Sequence, residues 1–137
     1  MQARGGELMD ALEGDRLVAL ADGDPVGLVT WLVDARSGEA EIRALAVTVA
    51  ARGSGIGRAL LAAAQLRLRE AGVRRGWVVT TNDNLAALAL YQKAGYRLAE
   101  LRAGAVDQAR RSIKPSIPAI GEHGIPLRDE LELELTL

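Results

Sequence analysis

Arg52-Gly53-Ser54-Gly55-Ile56-Gly57 stands where one pattern of the chain gives way to another. Before it, Glu39 to Val49 reads as a strand. After it, Gly55 to Ala71 takes a helical period, with Ile56, Leu60, Leu61, Ala64, Leu68 and Ala71 on one face and Arg58, Gln65 and Arg69 on the other. Small residues at a strand-to-helix junction let backbone N–H groups converge without side chains in the way. The helix start adds about half a positive charge. Together these favour a phosphate or pyrophosphate, and Arg52 and Arg58 can add charge. Two better-known glycine loops do not fit. A P-loop ends in Gly-Lys-Ser/Thr, whereas Gly57 is followed by Arg58 and Ala59; a dinucleotide loop needs a glycine where Arg58 stands. A tight turn whose glycines serve only packing is the plain alternative.

Working back from the loop, Val26 to Val33 and Arg16 to Ala21 read as strands, separated by turns at Asp22-Gly23-Asp24-Pro25 and Ser37-Gly38. Short turns between consecutive strands predict an antiparallel meander. Residues 5–13 carry a weak helical pattern. Working forward, Gly72 suits a helix C-terminus, and Trp77 to Thr81 is a β-rich run. The predicted strand–helix–strand crossover pairs the strand before Ala50 with that at Trp77 in parallel. Asn82, Asp83 or Asn84 can cap a second helix running to about Lys93, which Gly95 ends. Tyr96 to Leu101 is a further strand. Residues 103–128 predict a long ordered loop with one helical turn near Val106 to Arg111. Leu131, Leu133, Leu135 and Leu137 alternate with polar residues, as in a half-buried strand. Trp31 and Trp77 sit in apolar strand-like runs and are expected to pack in the sheet.

Composition narrows the function. The 137 residues fit one domain, 1–137, and about half are hydrophobic, enough for a core. A formal net charge of -1 gives no reason to expect nucleic acid or an anionic membrane as partner. With no cysteine there is no thiolate nucleophile or Cys-based metal site. No His and carboxylate set has metal spacing, so no metal is expected. The first ten residues lack the blocks of a signal peptide. The run from Ala44 to Ala51 falls far short of the ~20 residues that span a bilayer. A cytoplasmic protein is expected.

The loop has a companion. Arg52-x-x-Gly55-x-Gly57 resembles the acyl-CoA pyrophosphate loop of the GNAT (GCN5-related) N-acetyltransferases, written Q/R-x-x-G-x-G/A. Asn84-Leu-Ala-Ala87-Leu-Ala-Leu-Tyr91-Gln-Lys-Ala-Gly95-Tyr96 resembles the family's second signature, in the right order and at a separation that fits a helix and a strand. The likeness covers about residues 16 to 102. It implies an α/β (α+β) fold: a mixed, mainly antiparallel central sheet flanked by helices. It implies acetyl-CoA as co-substrate. The strand from Ile42 to Val47 would splay to admit pantetheine, with Leu45, Ala46 and Val47 offering backbone groups. Gly53, Ser54, Gly55, Ile56, Gly57, Arg52 and Arg58 would hold the pyrophosphate. Asn84 would contact the pantetheine arm, and Tyr91 would lie near the thioester sulfur. The chain departs from the family in having only about 15 residues before the strand at Arg16, where a strand and two helices are usual. The acceptor pocket would then be open, built from residues 103–128, or completed by another subunit.

The resemblance implies transfer of an acetyl group to a primary amine of a small molecule or peptide by direct attack. Such a reaction needs a base, because alkyl amines are mostly protonated near neutral pH. Glu41 is the first candidate, with Glu39 on the same face; both also read as solvated strand charges. Backbone N–H groups from Leu45 to Val47 suit the developing oxyanion. Tyr91 suits the leaving thiolate: a phenol near pKa ~10 is protonated at pH 7 and donates a hydrogen bond, although full proton transfer to a thiolate near ~8.5 is uphill by roughly 2 kcal/mol. A core-edge aromatic is its plainer reading. His123, the single histidine, reads as a loop residue that can serve as a base. The competing function is a non-catalytic acyl-CoA sensor or dimeric scaffold. A homodimer is expected because the apolar last strand and the short N-terminal region leave a sheet edge to cover.

Overall fold

The computed structural model describes residues 15–137, together with the backbone pairing of Gln2–Ala3 and Gly6–Asp10. The chain divides into two compact units. Unit one holds Met1–Trp77 and Thr136–Leu137; unit two holds Val78–Leu135.

Unit one is built on a meander: β1 (Gln2–Ala3), β2 (Gly6–Asp10), β3 (Arg16–Ala21), β4 (Asp24–Asp34) and β5 (Glu39–Val47) pair antiparallel in sequence order. The expected strands at Arg16 and Val26 and both turns are present. The helix expected over residues 5–13 is not: Gly6–Asp10 is a strand in register with β3, and residues 5 and 11–13 lie outside the described residues. Nine residues of weak helical period are too few to hold a helix alone, and a neighbouring strand edge satisfies the backbone of Gly6–Asp10 instead. At its other end β5 stops at Val47, two residues early, and a 3-10 turn covers Val49–Ala51.

One face of this meander is dry. Leu17 and Ala19 of β3, Val29 and Trp31 of β4, and Ala40 and Ile42 of β5 are buried, and α1 (Ile56–Glu70) packs on these three strands. Leu60, Leu61 and Leu68 are among the most deeply buried side chains, each contributing roughly 1.5–3 kcal/mol of transfer free energy. The helix comes so close at Gly27 that a Cβ there would stand 2.9 Å from Leu60 Cδ1 and 3.0 Å from Ile56 Cγ2. Because α1 crosses several strands its buried arc is broad: Ala63 and Gln65 are buried too, although Gln65 is expected outside. Ala71, expected inside, is exposed because it is already the C-cap. The helix ends as predicted at Gly72, with the Val73 N–H donating to Leu68 O at 2.9 Å.

β4 and β5 slip register once. Trp31 faces Ile42 and Thr30 faces Ala44, so Arg43 is the extra residue of a β-bulge. The burial phase changes there: Ala40 and Ile42 are buried before it, whereas Leu45 and Val47 are the half-buried residues after it. β6 (Arg75–Thr81) opens in unit one beside the start of β5: Arg75 Nη1 lies 3.3 Å from Glu39 Oε1, and the Arg74 N–H reaches Gly38 O at 3.4 Å. Start beside start is the arrangement that the predicted parallel crossover requires.

Unit two continues β6 into α2 (Leu85–Lys93), β7 (Arg97–Arg102), α3 (Ala105–Ser112) and β8 (Glu130–Thr136), with β7 and β8 antiparallel. The turn expected near Val106 to Arg111 is a helix of eight residues. Between α3 and β8 the chain is irregular apart from a 3-10 turn at Glu122–Gly124, and side chains fix its course. Arg110 donates to Ile117 O, Pro118 O, Leu127 O and the Asp107 carboxylate. Asn82 donates to Pro126 O and accepts from the Arg128 and Asp129 amides. This is the ordered loop that the prolines predict. Trp31 is buried and Trp77 half-buried.

Candidate active site

The predicted site residues fall into two groups. Unit one carries Glu39, Glu41, the strand end Leu45-Ala46-Val47 and the loop from Arg52 to Arg58. Unit two carries Asn84, Tyr91 and His123.

In unit one, β5 leads through the 3-10 turn directly into the loop. Gly53 has φ 79° and Gly55 φ 86°, the left-handed region that costs other residues roughly 1–2 kcal/mol. Gly55 is the N-cap of α1, and no side chain caps the helix. The amides of Ile56, Gly57 and Arg58 are among the four that a helix start leaves without an intrahelical partner, and the first bond of this turn runs from Ala59 N to Gly55 O at 3.0 Å. The space around the loop is open: a Cβ built at Gly53 or Gly55 would meet nothing within 4 Å. The loop's one hydroxyl turns inward, with Ser54 Oγ donating to Ala51 O. Arg52 and Arg58 are exposed at its ends. An anionic group with several acceptor oxygens fits such a site, because it meets bare amides, the helix dipole and two exposed cations.

In unit two, Asn84 is the N-cap of α2, and its Oδ1 accepts from Ala87 N at 3.1 Å. Its side-chain carbonyl is thereby engaged, which leaves the NH2 group to donate. About two helix turns later, Tyr91 is 6% exposed, with its ring edge-on to Tyr96 at 5.7 Å and 63°. Burial raises the phenol above its ordinary 10.0, so it is a neutral hydrogen-bond donor at pH 7.

The candidate bases are partly engaged. Glu41 Oε1 lies 3.4 Å from Arg43 Nη1, and Glu39 pairs with Arg75. His123 is exposed, in the left-handed conformation (φ 58°), within the 3-10 turn of unit two.

One residue of this region has a larger part than its sequence suggests. Asp83, one of three residues that could cap α2, is 5% exposed. Its carboxylate accepts from Thr81 Oγ1 at 2.5 Å and from the Glu122 N–H at 2.8 Å. Burial by itself would push the carboxyl up; the Thr81 hydroxyl, the Glu122 and Asp83 amides and the charge of His123 outweigh it and hold the group below its ordinary 3.8. Gly121 closes over it, since a Cβ there would overlap the carboxylate. The Asp83–Glu122 bond spans 39 residues, so no local pattern reports it. Among the described residues no group of three or more His, Cys, Asp or Glu could hold a metal ion, and no helix is long and apolar enough to cross a membrane.

Known proteins with these features form one class. The sequence profile of the acetyltransferase (GNAT) family matches residues 4–96. The chain is 41% identical over 112 residues to the uncharacterized protein YxbD of Bacillus subtilis (strain 168), covering 82% of this chain and 67% of that one. Its fold matches an IAA acetyltransferase from Bacillus cereus ATCC 14579 with a TM-score of 0.76 at 30% identity, over 89% of this chain and 77% of that one. It matches a Bacillus subtilis acetyltransferase solved in complex with CoA with a TM-score of 0.78 at 26% identity, over 89% and 76% of the two chains. The fold is thus the mixed, mainly antiparallel sheet with flanking helices that the resemblance implies. The chain belongs to the GNAT family of acetyltransferases.

Proposed function

We propose that this protein transfers the acetyl group of acetyl-CoA to a primary amine by direct attack. The observation that carries the reading is the uncapped start of α1, where a Cβ at Gly53 or Gly55 would meet nothing within 4 Å and no side chain bonds the first turn. Acetyl-CoA supplies an activated acyl carbon on a thiolate leaving group. The amides of Gly53 to Arg58 hold the diphosphate, with Arg52 and Arg58 adding charge. Asn84 presents its NH2 group to the pantetheine arm while its carbonyl caps α2.

The remaining roles concern protons and charge. Glu41 takes a proton from the attacking amine, directly or through water, and Glu39 and His123 are the lesser candidates. The N–H groups of Leu45, Ala46 and Val47 stabilise the charge that develops on the carbonyl oxygen. Tyr91 donates a hydrogen bond to the departing sulfur. Its raised pKa moves the phenol further from a thiol's ~8.5, so hydrogen bonding precedes any proton transfer. A cytoplasmic location and a small-molecule or peptide acceptor complete the reading.

A thiol-release assay over a panel of amines tests it. Turnover that requires both acetyl-CoA and an amine is expected. Tight acetyl-CoA binding with no thiol release for any amine would favour the non-catalytic sensor instead.

A further inference from the structure

An open cleft of about 430 Å³ in the unit-one meander is lined by Asp15, Arg16, Thr30, Trp31, Leu32 and Arg43. Two of these six residues carry guanidinium groups. Arg16 pairs with Thr30 across β3 and β4, which places both side chains on one face. Thr30 pairs in turn with Ala44, and the bulge brings Arg43 in beside it. Counted from Ile42, the period of two already sets Arg43 on the Thr30 face, and the bulge keeps Ala44 there as well.

The Nε of Arg16 is buried, and among the described residues nothing bonds to it. A buried donor left without a partner costs roughly 1–3 kcal/mol, more when charged, so such groups call for an explanation. The cleft reaches Arg16 through the outer part of its guanidinium, where the two Nη groups can hold a carboxylate by parallel bonds, and an opposite charge there offsets the burial of the cation. Arg43 bonds Glu41 through Nη1, and its other donors remain available. Thr30 adds a hydroxyl. Asp15 contributes the opposite charge at the same cleft, suited to the ammonium form in which an alkyl amine arrives.

We propose that this cleft is the acceptor site and that the acceptor is a small amine that also bears a carboxylate, as an amino acid does. Arg16, Arg43 and Thr30 hold the carboxylate. The Glu41 carboxylate, tied to Arg43, stands beside it, which links the carboxylate seat to the group proposed as base. The identity of the occupant as an acceptor rests on the transferase reading; the carboxylate seat itself does not.

The test is calorimetric titration of the full chain with L-amino acids, each against its primary amide, in the wild type and in R16Q and R43Q. At least one acid is expected to bind ten or more times more tightly than its amide. Both variants should remove that preference and leave acetyl-CoA affinity unchanged. Acids and amides binding alike, no acid binding, or preference surviving in both variants would overturn the proposal. Arg43 is exposed, so R43Q carries the test if R16Q does not fold, with R16K as the charge-retaining control. A carboxylate preference without acetyl-CoA binding would sink the transferase reading and leave the seat standing. Thiol release with neutral amines alone would do the reverse.

Discussion

Two of the three helix starts, those of α1 and α2, solve the same problem in opposite ways. Each helix exposes amides that need acceptors. At α2, Asn84 folds its side chain onto Ala87 N and supplies one, and next to it Asp83 binds the Glu122 amide. At α1 the corresponding position is Gly55, which has no side chain to give, and the flanking Ser54 hydroxyl is turned back to Ala51. A capping side chain contributes about 1 kcal/mol, and the chain forgoes it at α1. The left-handed backbone at position 55 favours glycine by roughly 1–2 kcal/mol, and the missing side chain has a second effect. What glycine offers there is room for acceptor oxygens that come from outside the chain.

The contrast breaks most sharply at position 55. Gly55→Asp would put a carboxylate at the head of α1, where the diphosphate binds. The expected result is acetyl-CoA affinity weaker by roughly 100-fold, with the melting temperature lower by several degrees from the left-handed strain at φ 86°, read by calorimetry and thermal denaturation. Tyr91→Phe is expected to lower kcat by about 100-fold and to alter acetyl-CoA affinity little, because the hydroxyl acts on the leaving sulfur rather than on the bound ground state; steady-state kinetics with a good acceptor decides it.

At α2 the effects are smaller. Asn84→Ala should cost about 1 kcal/mol of stability, or about 4 °C in Tm for a chain of this size. Asn84→Asp keeps the acceptor and should restore Tm without restoring acetyl-CoA affinity, since it lacks the NH2 donor. The smallest effect concerns acid. Asp83 has its folded pKa depressed below 3.8, so its contribution is present above that value and is lost as pH falls through the lower, folded one. Tm measured from pH 7 to pH 2 should fall less steeply in Asp83→Asn than in the wild type.

Much of this was legible in the sequence because it is local. The β3–β5 meander follows from alternation and short turns, the ends of α1 from Gly55 and Gly72, and the α2 cap from Asn84. What escaped depends on partners distant in sequence. Gly6–Asp10 is a strand because β3 offers it an edge. Gln65 is buried because α1 crosses several strands. The bulge at Arg43 resets which side chains share a face, so a strict period of two misplaces everything beyond Arg43. Asp83 looked like one of three equivalent caps; its bond to Glu122 becomes visible only when the irregular segment before β8 is traced. At the candidate site the loop and the Asn84 and Tyr91 positions came from motif spacing, whereas the cleft at Arg16 and Arg43 needed the register.

The central claim is that bare amides at the start of α1 grip a diphosphate. Titrating the protein with CoA and with pantetheine, which lacks the diphosphate, tests it most directly. The account predicts that CoA binds at least about 100-fold more tightly, and that Gly55→Asp closes the gap. Equal affinities for the two ligands, or a gap that survives the substitution, would contradict it.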